Sequence, residues 1–220
     1  MGDHVGRAVA DTPSSHTRER IVGAASAIFA DKGFAGARVD EIARRAVVNK
    51  AMLYYHVGDK QALYTAVLTH NLERVEEALV AASATEGPAS ASLKAVIGAI
   101  VGILQTIPDH PRIMLREIAA GGANLAPEVM CRMLGVLEVV GGLLAEGRGA
   151  GEFRDTDPVL THLSIVGAAL FLTSINPLRE RAAELGVGLD LLATETDIAD
   201  LLSNLVLHGV SAVPRSGEKK

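Results

Sequence analysis

The sequence predicts an all-α chain in which a three-helix unit precedes a larger helical one. Three observations carry that prediction. Apolar residues recur at helical spacing in one segment after another, and no segment sustains the period-two alternation of a strand. Ala, Leu, Val and Gly dominate, with aromatics at 3% and no Trp, a composition suited to helices packed closely through small side chains. Gly, Pro and Asx residues punctuate the apolar segments where helices would start and stop.

Residues 1–15 are polar and aperiodic and read as a disordered arm. Thr17 is placed to cap a first helix, on which Ile21, Ala24, Ala25, Ile28 and Phe29 recur until Gly33 stops it. A short second helix runs from about Val39 to Ala46. Asp40 and Glu41 complement the dipole of its first turn, and Ile42, Ala43 and Ala46 form its buried face. After a tight break at Val47-Val48, Asn49 caps a third helix reaching about Tyr55. Asp59 caps a long fourth, which carries Leu63, Val67, Leu72, Val75 and Leu79 to a break at Glu86-Gly87-Pro88. Further helices are expected at about Ser90 to Ile107, Pro111 to Ala120, Pro127 to Gly147, Pro158 to Asn176 and Glu195 to Val213. A Gly-containing connection precedes the last, and residues 214–220 read as a disordered tail. The expected domains are therefore residues 16–62 and 63–213.

The net charge of −5 is unevenly placed: residues 1–60 carry +2 and the remainder −7. The basic excess sits where a nucleic-acid-binding module would need it. Cys131 stands alone, which excludes a disulfide within the chain; its apolar surroundings read it as a small core residue. With no apolar leader at the N-terminus, a reducing, cytoplasmic setting is expected. Pro158 to Leu178 lacks charge and is long enough to span a bilayer. Thr161, His162, Ser164, Thr173 and Asn176 interrupt it and basic flanks are missing, so it reads as a helix buried in protein, with no membrane partner.

Two short helices across a tight turn, the second rich in exposed polar and aromatic residues, describe a helix-turn-helix. The third helix must enter the major groove. Its leading residues, Asn49, Lys50, Ala51 and Met52, are small or extended, and Tyr54, Tyr55 and His56 follow. A Tyr hydroxyl can bond a phosphate while its ring packs. Lys60, in the first turn of the fourth helix, can join that turn's backbone N–H groups on a phosphate.

The stretches IVGAASAIFADKGF and VDEIARRAVVNKAMLYYHVGDKQAL carry a resemblance to the tetracycline-repressor (TetR) family. It covers about residues 17–68 and is specific, because it matches three helices and two turns. The resemblance implies that Thr17 and Lys60 contact phosphates and that Lys50, Met52, Tyr54, Tyr55 and His56 line the DNA face. It also implies a variable C-terminal effector domain and a dimer built from the last two helices. Two positions depart from the family pattern. Arg38 replaces the usual Thr or Ser before the second helix; it cannot cap, but it can contact phosphate. Val47 replaces the usual turn Gly, so either the turn has another geometry or Val47 is strained.

Beyond residue 90 there is no phosphate-cradling loop, metal-ligand spacing or nucleophile–base pair, so no catalytic residue, metal or cofactor is expected. His110, His162 and His208 lack ligand spacing and read as ordinary buried or surface histidines. A largely apolar small-molecule effector is expected between the helices, near Met114, Arg116, Glu117, Asn124, Phe153 and Phe171. A homodimer surface is expected on Gly167 and Ala168, which permit close approach, and on the stripe Ile198, Leu201, Leu202 and Leu205. The whole reads as an effector-released repressor on a palindromic double-stranded DNA operator. The fourth helix, common to both halves, is the expected lever. The alternatives are a helical architectural DNA-binding protein without a ligand and a helical enzyme with an accessory helix-turn-helix.

Overall fold

The computed structural model describes residues 13–187 and 195–212, so residues 1–12 of the arm expected at 1–15, and the tail at 214–220, lie outside the described residues, while residues 13–15 are helical rather than part of an arm. The chain divides between Val67 and Leu68 into two compact units.

The first unit holds α1 (Pro13–Gly36), α2 (Val39–Arg45), α3 (Lys50–Val57) and the opening turns of α4 (Lys60–Ser83). Helix α1 begins earlier than expected, because Pro is tolerated in a first helical turn. Thr17 therefore lies inside the helix rather than at its cap. Gly33 interrupts α1 with φ 70° and ψ 176°, a conformation that favours glycine. Helices α1, α2 and α3 pack on one another. Ile21, Ala25, Phe29, Ile42, Leu53 and Leu63 are wholly shielded from solvent at their centre. The Phe29 and Phe34 rings each meet Tyr64 edge-on, at 4.7 and 5.1 Å.

The second unit contains the rest of α4, then α5 (Ala89–Thr106), α6 (Asp109–Ala119), α7 (Pro127–Gly149), α8 (Pro158–Ser174), α9 (Asn176–Glu184) and α10 (Glu195–Val210). Helix α5 packs against α7, α8 and α10. It is long and apolar enough to cross a membrane, but here Leu93, Val96, Ile97 and Ile100 are buried in the bundle. Helix α8 opens as expected: Asp157 Oδ1 accepts from the Val159 and Leu160 amides at 2.8 and 3.0 Å, and Pro158 follows. Helix α9 was expected as a connection. Its charged residues Arg179, Glu180, Arg181 and Glu184 hide any apolar period, and Ala182 is its buried anchor.

The segment after α7 ties three helices together. Glu152 accepts from the Ser90 hydroxyl at 2.8 Å and from the Ala89 and Ser90 amides at 2.9 and 3.1 Å and so caps α5; these bonds, the hydroxyl's above all, hold its carboxyl below the usual carboxylate range. The Ala212 amide donates to the Glu152 carbonyl and the Arg154 amide to the Val210 carbonyl, each at 2.8 Å. Phe153 lies buried against Gly147, where any side chain would overlap its ring. Cys131 is exposed, contrary to its expected core position. Val129, Val136, Val140 and Leu144 take the inward face of α7 and turn Cys131 outward.

Candidate functional site

Helix α3 is rooted by one residue. Leu53 is fully buried, whereas Lys50, Met52, Tyr54 and Tyr55 are exposed and His56 is half-buried. Tyr55 projects furthest, at 85% exposure, with the His56 ring edge-on at 5.2 Å. Asn49 caps the helix, its Oδ1 accepting from the Met52 amide at 2.7 Å. That bond occupies an acceptor on a residue expected at the DNA face.

The brace beneath α3 is electrostatic as well as apolar. Lys50 pairs with Asp40 of α2 at 2.8 Å, and this hydrogen bond raises the Lys50 pKa. Lys32 of α1 donates to both carboxylate oxygens of Glu41 at 2.6 and 2.7 Å, which lowers the Glu41 pKa. Both pairs are solvent-exposed and act on orientation more than on stability.

The two departures noted in the sequence have definite geometry. Arg38 precedes α2 in extended backbone, at φ −113° and ψ 130°, with no side-chain cap bond; it is exposed. Val47 takes φ 56°, the left-handed conformation. Arg20 of α1, overlooked in the sequence, donates to the carbonyls of Ala46 and Val47 at 3.1 and 3.3 Å. Those carbonyls belong to the cap of α2 and the residue after it, where acceptors turned out of the helix attract a cationic donor. Lys60 donates to the Ala35 carbonyl at 3.3 Å and sits 4.7 Å above the Phe34 ring. Thr17 lies half-buried on α1.

In the second unit, residues of α4 to α8 line a cavity of about 70 Å³. Its walls include Leu72, Val75, Ile100 and Leu170, and its polar groups are the imidazoles of His110 and His162. Both histidines are buried, and the Nδ1 atom of each has no hydrogen-bond partner. An unmet buried donor or acceptor costs about 1–3 kcal/mol. Burial pushes the His110 pKa down to about 4 and lowers that of His162 in the same direction.

Of the expected effector residues, Met114 lines this cavity. Glu117 accepts from the Asn124 side chain at 2.9 Å and from its amide at 3.3 Å, closing the turn after α6. Arg116 is exposed, Phe171 is 56% exposed, and Phe153 packs on Gly147 instead. His110 and His162 were expected as ordinary buried or surface histidines; their sharing of one cavity depends on how α6 meets α8, which local spacing does not encode. His208 is exposed, with Nδ1 2.7 Å from the Asn204 carbonyl.

The expected dimer residues divide into two sets. Ile198 and Leu202 are buried within the protomer. Leu201 and Leu205 are exposed, as are Leu160, Leu163, Gly167 and Phe171 of α8. Ala168, Leu202 and Leu205 also border a groove of about 340 Å³ between α8 and α10.

Residues 21–67 match the family model described as bacterial regulatory proteins, tetR family. The chain is similar to the HTH-type transcriptional repressor NicS of Pseudomonas putida, with 25% identity over 90% of this chain and 93% of that protein. It is also similar to the HTH-type transcriptional activator FasR of Mycolicibacterium smegmatis, at 26% identity over 78% of this chain and 79% of that one. Among solved structures, a tetR-family regulatory protein from Rhodococcus RHA1 superposes with a TM-score of 0.75 at 21% identity, over 90% and 98% of the two chains.

Proposed function

We propose that the chain is a DNA-binding transcriptional regulator of the TetR family, a cytoplasmic, homodimeric repressor released from a palindromic operator by a small effector. The observation that carries the DNA half is α3 itself. Leu53 roots it, Met52, Tyr54 and Tyr55 are exposed, and so is Lys50, though it is paired with Asp40. Those four, with His56, are assigned to the major groove; Thr17, Arg38 and Lys60 are assigned to phosphates. Asn49 serves chiefly as the cap that starts the helix.

Leu160, Leu163 and Phe171 on α8, with Leu201 and Leu205 on α10, support the dimer, since an exposed apolar stripe of that extent calls for cover. Two-fold pairing then presents two α3 helices to a two-fold DNA site. The effector is assigned to the second unit. Helix α4 belongs to both units, so a ligand against Leu72 and Val75 acts on the helix whose first turn carries Lys60. The reading assigns the protein no catalytic step.

The test is the salt dependence of binding to an operator recovered from genomic DNA. Lys60→Ala should weaken binding to all sequences alike and reduce the slope of log K against log salt by about one. An altered sequence preference with an unchanged slope would refute the phosphate role. Failure of the wild type to select any sequence would refute the operator reading.

A further inference from the structure

The cavity in the second unit has a chemical character of its own. Its wall is aliphatic and thioether side chains, with no Lys, Arg, Asp or Glu among the described residues that line it. Two polar groups break that lining, from different helices: His110 of α6 and His162 of α8. Each side chain is more than nine-tenths buried, and each has an Nδ1 that finds no partner among the described residues. Native interiors rarely leave such atoms unmet, and two such imidazoles on the wall of one cavity point to a ligand that hydrogen-bonds to the rings.

We propose that the ligand of this cavity is a compact, uncharged and mainly apolar molecule with a single oxygen function, a hydroxyl or a carbonyl, that hydrogen-bonds to His110 and His162. The proposal rests on the reading of the chain as an effector-responsive regulator and adds the chemical class of the effector. A carboxylate or an ammonium ion would lose its hydration with no opposite charge on the wall to replace it. Desolvation keeps both imidazoles neutral, and a neutral imidazole offers one N–H and one lone pair. A hydroxyl can donate to one ring and accept from the other. A carbonyl oxygen can accept from both after a change of tautomer. The volume of about 70 Å³ calls for a small ring or short chain, and flexible Met114 and Met133 on the wall can yield to it.

The experiment is calorimetric titration of the full-length chain with five probes of one shape: cyclohexanol, cyclohexanone, methylcyclohexane, cyclohexanecarboxylate and protonated cyclohexylamine. The alcohol or ketone should bind about tenfold tighter than methylcyclohexane, the scale of a buried neutral hydrogen bond. His110→Phe and His162→Phe should each erase most of that preference, read as the ratio of alcohol or ketone affinity to methylcyclohexane affinity within the same variant. His162→Gln, which keeps a donor and an acceptor, should restore part of it; circular dichroism confirms that each variant is folded. Tightest binding of the carboxylate or the amine, or an oxygen preference that survives both Phe variants, would overturn the ligand class and leave the effector reading standing. Stronger stabilisation by Cu(I) than by any organic probe would also overturn it, by reassigning the imidazoles and the two thioethers as metal ligands. Binding of none of these by a chain that still binds its operator would overturn both the class and the effector role of the cavity.

Discussion

At Val47 the backbone takes φ 56° while the side chain stands 82% exposed, so no packing compensates the clash between its β-carbon and its own backbone. The left-handed conformation costs an L-residue about 1–2 kcal/mol, and more when it is β-branched. Arg20 holds the turn by bonding the Ala46 and Val47 carbonyls. Val47→Gly should therefore stabilise the folded chain by about 0.5–1 kcal/mol, since the greater freedom of glycine in the unfolded chain offsets part of the relief. Urea unfolding measures this, and a destabilised variant would mean that the turn is unstrained. His110 is the second residue with a cost attached. Its folded pKa of about 4 lies below the unfolded value of 6.5, so its neutral form is favoured by folding. Stability from this group is complete above pH 6.5. As pH falls toward 4 the unfolded chain gains a proton that the folded chain refuses, and stability drops by about 1.4 kcal/mol per pH unit. Between pH 7 and 5, His110→Phe should lose about 1.5–2 kcal/mol less than the wild type. Equal losses would place the acid sensitivity elsewhere; His162 acts with the same sign.

Among the elements, α3 spans only Lys50–Val57, too short to persist alone, and it holds its shape through Leu53, the Asn49 cap and the Lys50–Asp40 pair. Much of this was legible in the sequence, because caps and apolar periods are local. Asn49, Gly33, Asp157-Pro158 and the inward face of α2 stand where they were expected. Helix α9 was not legible, since charged residues leave it no apolar period to detect. The cavity was not legible either: Leu72, His110, Met133 and His162 come from four helices, and no spacing along the chain brings them together. The α10 stripe read as one surface because helical period alone cannot separate a face turned to its own bundle from one turned to a partner. Leu202 is 4% exposed and Leu205 62%. Leu205→Glu should thus yield folded monomers in sedimentation, whereas Leu202→Glu should unfold the protein by burying an unpaired charge. A Leu205→Glu variant that stays dimeric would move the interface off α10.

For the whole molecule, α4 is the covalent link that matters, running unbroken from Lys60 in the first unit to Ser83 in the second. Near its far end, Arg132 of α7 bonds Glu73 at 2.8 Å and Glu76 at 2.7 Å, and Arg74 bonds Thr106 of α5 at 3.1 Å. Movement of α7 or α5 around a ligand therefore reaches α4 through charged contacts as well as through Leu72 and Val75. A ligand can shift α4 only by as much as it prefers one of two arrangements. Operator DNA must then weaken ligand binding by the same factor by which the ligand weakens DNA binding. Couplings of this kind typically amount to about 1–3 kcal/mol, or about 5–150-fold in affinity. Titrating the chain with cyclohexanol, free and saturated with operator, should show a loss of affinity in that range. Arg132→Ala, which releases Glu73 and Glu76, should shrink the difference while leaving cyclohexanol affinity for the free chain nearly unchanged, because Arg132 is not part of the cavity wall. Equal affinities with and without operator in the wild type would mean that the two units do not communicate, and the second would then serve only to dimerise the first.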